Sequence, residues 1–336
     1  MTVNISESVR DNIWLRRYSY FTAFSVLILI LKGALVTSND AGLAVPDWPS
    51  SFGENMFLFP PSKWVGGIFY EHGHRLLASF VGFLMIVLTA WVWIKDKRRW
   101  VKYLTLASLF MVIIQGILGG LTVLYFLPVK ISSAHAVLAQ TFFISVVIIA
   151  YSQSKECKLR EQSSVRQNTR RGFYLALLFV LFIYLQLIIG ALMRHSYAGL
   201  AVPDFPTMGG SFIPGLGNQF LAEVNRLRAE LKLPAVDIVQ VYLHLLHRLF
   251  AVFVVLSFIP LFFFVRRRIA PGILWLQRAR SLTIFSAILL FVQFCLGIFT
   301  LLTLRNPWVA SLHVMLGALL LAFAVLIAIR FYYYVT

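Results

Sequence analysis

Long apolar runs separated by short polar stretches recur along the whole chain, at 18–36, 74–94, 102–124, 132–151, 173–194, 242–265, 282–304 and 309–334. A helix needs ~20 mostly apolar residues to cross ~30 Å of hydrocarbon, so each run is long enough to span a bilayer. The pattern predicts an all-α integral membrane protein with eight transmembrane helices. The first run is too long for a secretory signal and no small-residue cleavage site follows it, so it is expected to stay as a span.

Between the runs, one polar element occurs twice. Residues 41–49 read AGLAVPDWP and residues 198–206 read AGLAVPDFP, an offset of 157 (198 − 41), and each follows an apolar stretch ending in Gly-Ala-Leu. His74-Arg75 pairs with His247-Arg248 at an offset of 173 (247 − 74), and His135 pairs with His313 at 178 (313 − 135). The chain is therefore a duplication with insertions. Four spans per half is an even number, so both halves enter from the same side and form a parallel repeat. Two pseudo-symmetric four-helix bundles are expected, over 1–155 and 173–336, joined by a linker at 156–172.

Composition agrees: 60% of residues are hydrophobic and 13% charged, too little charge for a soluble surface. The net charge of +17 raises the question of nucleic acid, but the basic residues sit in alternate connections. Arg10, Arg16 and Arg17, then Lys95 to Lys102, Lys155 to Arg171 and Arg266 to Arg280 form the clusters. That is the positive-inside pattern, with both termini cytoplasmic and long outward loops at 37–70 and 195–240. A nucleic-acid binder is excluded on this distribution. The short N-terminal tail holds Glu7 and Asp11, unlike an acid-poor transit peptide, and a bacterial cytoplasmic membrane is the expected location. Cys157 and Cys295 are the two cysteines, too few for a disulfide framework or a thiolate metal site.

Ionisable groups in membrane spans mark pathways, ligands or cofactors. His74, His135, His247 and His313 each open an even-numbered span, at the outward side. Glu71 shares a helical face with His74, three residues away, while His72 points elsewhere; His244 stands where the first half has Glu71. Inward histidines on two helices of a four-helix bundle suit a haem clamp, one imidazole on each axial position of iron. Zinc would want further donors at short spacing, and simple helix capping accounts poorly for two matched pairs. Arg75, Arg248 and Arg194 are placed to meet haem propionates, with interfacial snorkelling as the alternative for each, Arg194 above all. The AGLAVPD turn is expected to be rigid, with Asp47 and Asp204 capping backbone amides, either as a lid over each cofactor or as a plain loop anchor. Residues 216–232 suggest an amphipathic surface helix. Gly116, Gly119, Gly120 and Gly297 allow close packing or room for a flat cofactor. Lys32 is expected to reach toward an interface.

Taken together, Glu71-x-x-His74-Arg75, the turn at 42–49, Ala134-His135-Ala136-Val137-Leu138-Ala139-Gln140 and His247-Arg248 with His313 resemble the heme A synthase family over both halves. The resemblance implies oxidation of the C8 methyl of heme O to a formyl group, giving heme A for terminal oxidases. It makes His74 and His135 the ligands of the substrate haem, His247 and His313 those of a resident heme b, and Glu71 the catalytic acid. It also implies heme O synthase as the supplier, an electron acceptor the sequence does not identify, and leaves homo-oligomerisation open. Many members carry a cysteine pair in the first outward loop, and residues 37–70 contain none. The competing classes are a quinol-linked dihaem electron-transfer protein and a transporter; the latter would want polar breaks in mid-membrane helices, of which the chain has few.

Overall fold

The computed structural model describes residues 12–161, 169–268 and 273–332. The acidic and basic residues of the N-terminal tail, part of the 156–172 linker, part of the 266–280 connection and the end of the 309–334 span lie outside them. Ten α-helices and no strand occur among the described residues. Eight are long and apolar enough to cross a membrane: α1 (Ile13–Ser38), α2 (Gly67–Lys95), α3 (Arg99–Leu124), α4 (Val129–Ser152), α6 (Arg170–His195), α8 (Ile238–Arg268), α9 (Leu274–Leu302) and α10 (Pro307–Tyr332). Two shorter helices complete the set, α5 (Lys155–Glu161) overlapping the start of the expected linker and α7 (Gly217–Glu230) where an amphipathic surface helix was anticipated.

Several helices extend past their apolar runs. α2 begins at Gly67, so Glu71 and His74 lie about one and two turns inside it, and α9 begins at Leu274, which puts Arg278 and Arg280 on a helix rather than in a loop. A hydropathy window ends at the first charge, whereas a helix continues while its basic side chains extend their stems toward water.

α1 packs on α2 and α4, and α3 lies against α2 and α4; α6 packs on α8 and α10, and α9 lies against α8 and α10. The two sets meet where α10 and α6 touch α1 and α4. One buried cluster includes Val81, Met85, Leu88, Phe142 and Val146, the other Phe179, Phe258, Leu261, Leu321 and Ile327. A third, smaller cluster lies under the second long connection, where Phe220 and Val224 of α7 pack with Ala198 and Val202.

Candidate functional site

Each of the four matched histidines lies near the start of its helix, at the end of the molecule that carries the two long connections. Each imidazole is seated on a glycine of the neighbouring helix. A Cβ added at Gly33 of α1 would lie 2.9 Å from Cε1 of His74, and one at Gly190 of α6 would lie 3.0 Å from Cε1 of His247. Gly119 of α3 and Gly297 of α9 face His135 and His313 in the same way, at 3.4 Å. These glycines follow the offsets of the repeat, 157 (190 − 33) and 178 (297 − 119). All four rings are half-buried, yet their Nδ1 atoms are sealed and have no hydrogen-bond partner among the described residues. His135 lies within electrostatic range of His74, and His313 within that of His247.

Glutamines brace the helices that carry the rings. Gln115 Nε2 donates to the His135 carbonyl at 2.9 Å and Gln293 Nε2 to the His313 carbonyl at 2.7 Å, again 178 apart (293 − 115). Gln186 does the same for the His247 carbonyl at 3.1 Å, and its position in the first half (186 − 157) is Leu29. Sequence reasoning missed these glutamines, although extending the histidine alignment through α3 and α9 would have found the matched pair.

Among the described residues no cluster of three or more His, Cys, Asp or Glu side chains is arranged to hold a bare metal ion. Paired imidazoles suffice for an iron that brings four equatorial nitrogens with it, as a porphyrin does. The small residue behind each ring and the pairing by halves fit that group, with Nε2, the ring nitrogen that is not sealed, as the atom that would bind.

The two arginines take up partners of their own chain. Arg75 donates to the carbonyls of Val45 at 2.8 Å, Asp47 at 2.7 Å and Ser50 at 3.1 Å. Arg248 donates to the equivalent carbonyls of Val202 at 2.8 Å, Asp204 at 2.9 Å and Thr207 at 3.2 Å. A planar guanidinium offers five N–H donors in a fixed fork, so each arginine holds its repeated turn down on the helix carrying the first histidine. Arg194 likewise donates to the Ala34 carbonyl at 2.5 Å and to Ser38 Oγ at 2.7 Å, tying α6 to α1.

Inside each turn the aspartate does what its position in the motif suggested. Asp47 accepts from the amides of Phe52 at 2.7 Å and Gly53 at 2.9 Å, and Asp204 accepts from Gly209 and Gly210, both at 2.9 Å. Burial works against ionisation of Asp47, but hydrogen bonds from the Gly53 amide, the Ser50 hydroxyl and the Phe52 amide outweigh it and hold the carboxyl below the usual carboxylate range. Asp204 is held low by the same balance. The peptides Trp48-Pro49 and Phe205-Pro206 are both cis.

The halves differ where the sequence differs. Glu71 is 4% exposed; its Oε1 pairs with Arg75 at 2.6 Å and its Oε2 accepts the Val45 amide at 2.7 Å. His244, its counterpart, bonds through Nδ1 to the Ala198 carbonyl at 3.0 Å. His72 does point away from Glu71 and His74: it is buried, with Nδ1 3.1 Å from Ser51 Oγ and its ring between Phe59 and Trp64. The second turn is backed instead by α7, whose Arg228 donates to the carbonyls of Pro234 and Leu200. Lys32 lies over the Phe69 ring at 4.7 Å.

Comparison with known proteins agrees with this duplicated arrangement. The COX15-CtaA model, described as cytochrome oxidase assembly protein, matches residues 16–325. A heme A synthase of Alkalihalophilus pseudofirmus is 33% identical over 208 residues, covering 60% of this chain and 67% of that protein. One from Shouchella clausii is 30% identical over 203 residues, 60% of this chain and 65% of its own length. The heme A synthase of Halalkalibacterium halodurans is 25% identical over 316 residues, covering 91% of this chain and 93% of that protein. With the match running from α1 into α10 and so taking in all four histidines and both clamped turns, the chain belongs to the COX15-CtaA family of cytochrome oxidase assembly proteins.

Proposed function

We propose that this chain is a heme A synthase, a membrane oxidoreductase that oxidises the C8 methyl of heme O to the formyl group of heme A. Heme O is the substrate, held between His74 and His135 in the first bundle. Heme b is the resident cofactor between His247 and His313, and when bound it supplies a one-electron carrier. The observation that carries the reading is the matched set of glycine-backed histidines with a carboxylate, Glu71, in the first half at the position where the second has His244. The relatives matched above are named heme A synthase, which favours an enzyme over a quinol-linked electron-transfer protein.

Converting a methyl to a formyl group exchanges two hydrogens for one oxygen, a four-electron oxidation. With water as the oxygen donor it releases four protons and four electrons, the electrons passing to an acceptor and the protons leaving the site. Glu71 is the residue placed to take one. One of its oxygens pairs with Arg75 and the other accepts the Val45 amide, so its charge state bears on both the arginine clamp and the turn at 41–49. Arg75 and Arg248 act as positioning residues that keep the turns closed over the two haems. Gly33 and Gly119 let the imidazoles stand close to their neighbouring helices and fix their depth. The basic connections lie in the cytoplasm and both haems toward the opposite face, by the positive-inside pattern; a heme O synthase in the same membrane supplies the substrate.

Glu71→Gln tests the assignment, because glutamine keeps an acceptor for the turn but cannot take up a proton at ordinary pH. Membranes from cells making heme O and this variant are expected to retain protein-bound haem while heme A falls at least tenfold, with heme O or a hydroxylated intermediate accumulating. Haem extraction and chromatography measure all three. Undiminished heme A would remove Glu71 from the chemistry, and an absence of heme A from wild-type membranes supplied with heme O would remove the function.

A further inference from the structure

Of the seven histidines, six are accounted for by the matched pairs and by the ring contacts of His72 and His244. The seventh, His195, is the last residue of α6. That helix belongs to the second half but packs on α4 of the first, and His195 lies within electrostatic range of His135 on α4. Its ring is half-buried and forms no hydrogen bond among the described residues. By the offsets of the repeat His195 corresponds to Ser38 (195 − 157), and Ser133, two residues before His135, corresponds to Ser311 (311 − 178). Ser311 donates to Ser38 at 2.9 Å and Arg194 donates to Ser38 at 2.7 Å, so this pair is closed on its own chain. Its counterpart is open: Ser133 is 4% exposed and its hydroxyl has no partner among the described residues.

An imidazole carries an N–H in either tautomer and a serine an O–H, so both groups have a donor to spare beside the first histidine pair. Buried donors of this kind call for an acceptor. A haem brings two carboxylates along one edge and is otherwise apolar; ionised groups are costly in hydrocarbon, so that edge belongs at the outward end. Ser133 is two residues nearer that end of α4 than His135, about 3 Å, and His195 closes α6 there. Arg75 and Arg248, the residues whose sequence positions suggested propionate partners, are committed to turn carbonyls. Arg194 Nη2 is committed to Ala34 and Ser38. Hydrogen bonds to an ionised acceptor are among the stronger ones whether or not the donor is charged.

We propose that His195 and Ser133 bind a propionate carboxylate of the haem in the first site, so that the second half supplies a substrate-binding residue to the first. The proposal rests on the assignment of that site to heme O made above. The equivalent place in the repeat holds two serines already bonded to each other, so the haem between His247 and His313 lacks this contact and the two sites differ in how they hold a carboxylate.

Full-length protein in neutral detergent, titrated with heme O or with heme O whose two propionates are methyl esters, tests this. The Soret band and the low-spin electron paramagnetic resonance signals follow binding, and the first-site signal is the one missing from His74→Ala. His195→Leu and Ser133→Ala are each expected to weaken heme O binding at the first site about tenfold, the worth of one hydrogen bond to a charged group. Neither should change binding of the ester or the second-site signal, and His195→Gln, which keeps an N–H donor, should lose less than His195→Leu. Should His195→Leu fail to fold, Ser133→Ala decides alone. Heme O binding that is unchanged in either variant, or weakened no more than binding of the ester, overturns the proposal. A wild type with no first-site signal in the presence of heme O removes the reading of that site itself, whereas normal wild-type binding with no change in the variants removes only His195 and Ser133.

Discussion

An alanine at Gly33 would carry its Cβ 2.9 Å from His74 Cε1, and one at Gly190 would stand 3.0 Å from His247 Cε1. Replacing glycine by alanine inside a helix ordinarily stabilises it by about 1 kcal/mol, whereas overpacking costs about 1–3 kcal/mol. At these two positions the overlap wins, because the ring must move. At Gly119 and Gly297, with 3.4 Å available, the neighbouring ring needs to yield little. Gly33→Ala and Gly190→Ala are therefore expected to lower haem retention tenfold or more, each in its own half, while Gly119→Ala and Gly297→Ala stay near wild type; low-spin electron paramagnetic resonance signals resolve the two haems. The aspartates make a second residue-scale prediction. Because folding lowers the Asp47 pKa, its contribution to the turn is complete above the unfolded carboxylate value of ~4 and is lost only as pH falls through the lower folded value. Hydrogen exchange at the Phe52 and Gly53 amides should thus be equally protected, after correction for intrinsic rates, from pH 7 to about 4, then lose protection. Asp47→Asn should show weakened protection across that range.

At the scale of elements, each outer turn is fitted to the helix beneath it by a different choice of sizes. Trp48 lies so close over Gly120 of α3 that a Cβ there would overlap the indole. In the second half Phe205 replaces the tryptophan, Ile298 stands 178 positions on from Gly120 (298 − 120), and the phenyl ring meets Phe294 edge-on with centroids 6.3 Å apart. Gly120→Ile should displace the first turn and cost about 1–3 kcal/mol. Adding Trp48→Phe should recover part of that loss, a coupling of about 0.5–3 kcal/mol in a double-mutant cycle, read from thermal unfolding of the purified protein. The turn sequence was recognisable as rigid, and its aspartate as a cap, from composition alone. That Arg75 and Arg248 would spend their guanidinium groups on turn carbonyls was not, because the sequence distance between clamp and turn, 28 residues for Arg75 and Asp47, says nothing of contact until α2 has folded back beneath the loop.

For the whole molecule the question is what keeps the two sets of helices in register. At the histidine end Arg194 bridges α6 and α1, Ser311 donates to Ser38 at 2.9 Å, and Arg305 pairs with Asp40 at 2.7 Å. At the other end Glu156, from the segment between the halves, pairs with Arg330 of α10 and Arg278 of α9. Both Glu156 and Arg330 are buried, so removing the carboxylate leaves a guanidinium without its counter-charge, a loss of about 3–5 kcal/mol. Glu156→Gln is expected to lower the melting temperature by several degrees and to leave the haem spectrum of surviving protein unchanged. A spectrum altered at unchanged melting temperature would show that this knot serves the haem sites instead.

Span number, the duplication, and the identity of the four histidines were all present in the linear pattern, since hydrocarbon thickness sets the length of each apolar run and a repeat preserves its chemistry at matched offsets. What only tertiary packing decided was the immediate company of each ring: which glycine stands behind it, which glutamine braces its helix, and where the nearby arginines turn. Those partners come from other helices, and the distance between helices is settled by side-chain fit across the whole membrane section rather than by any local run of residues.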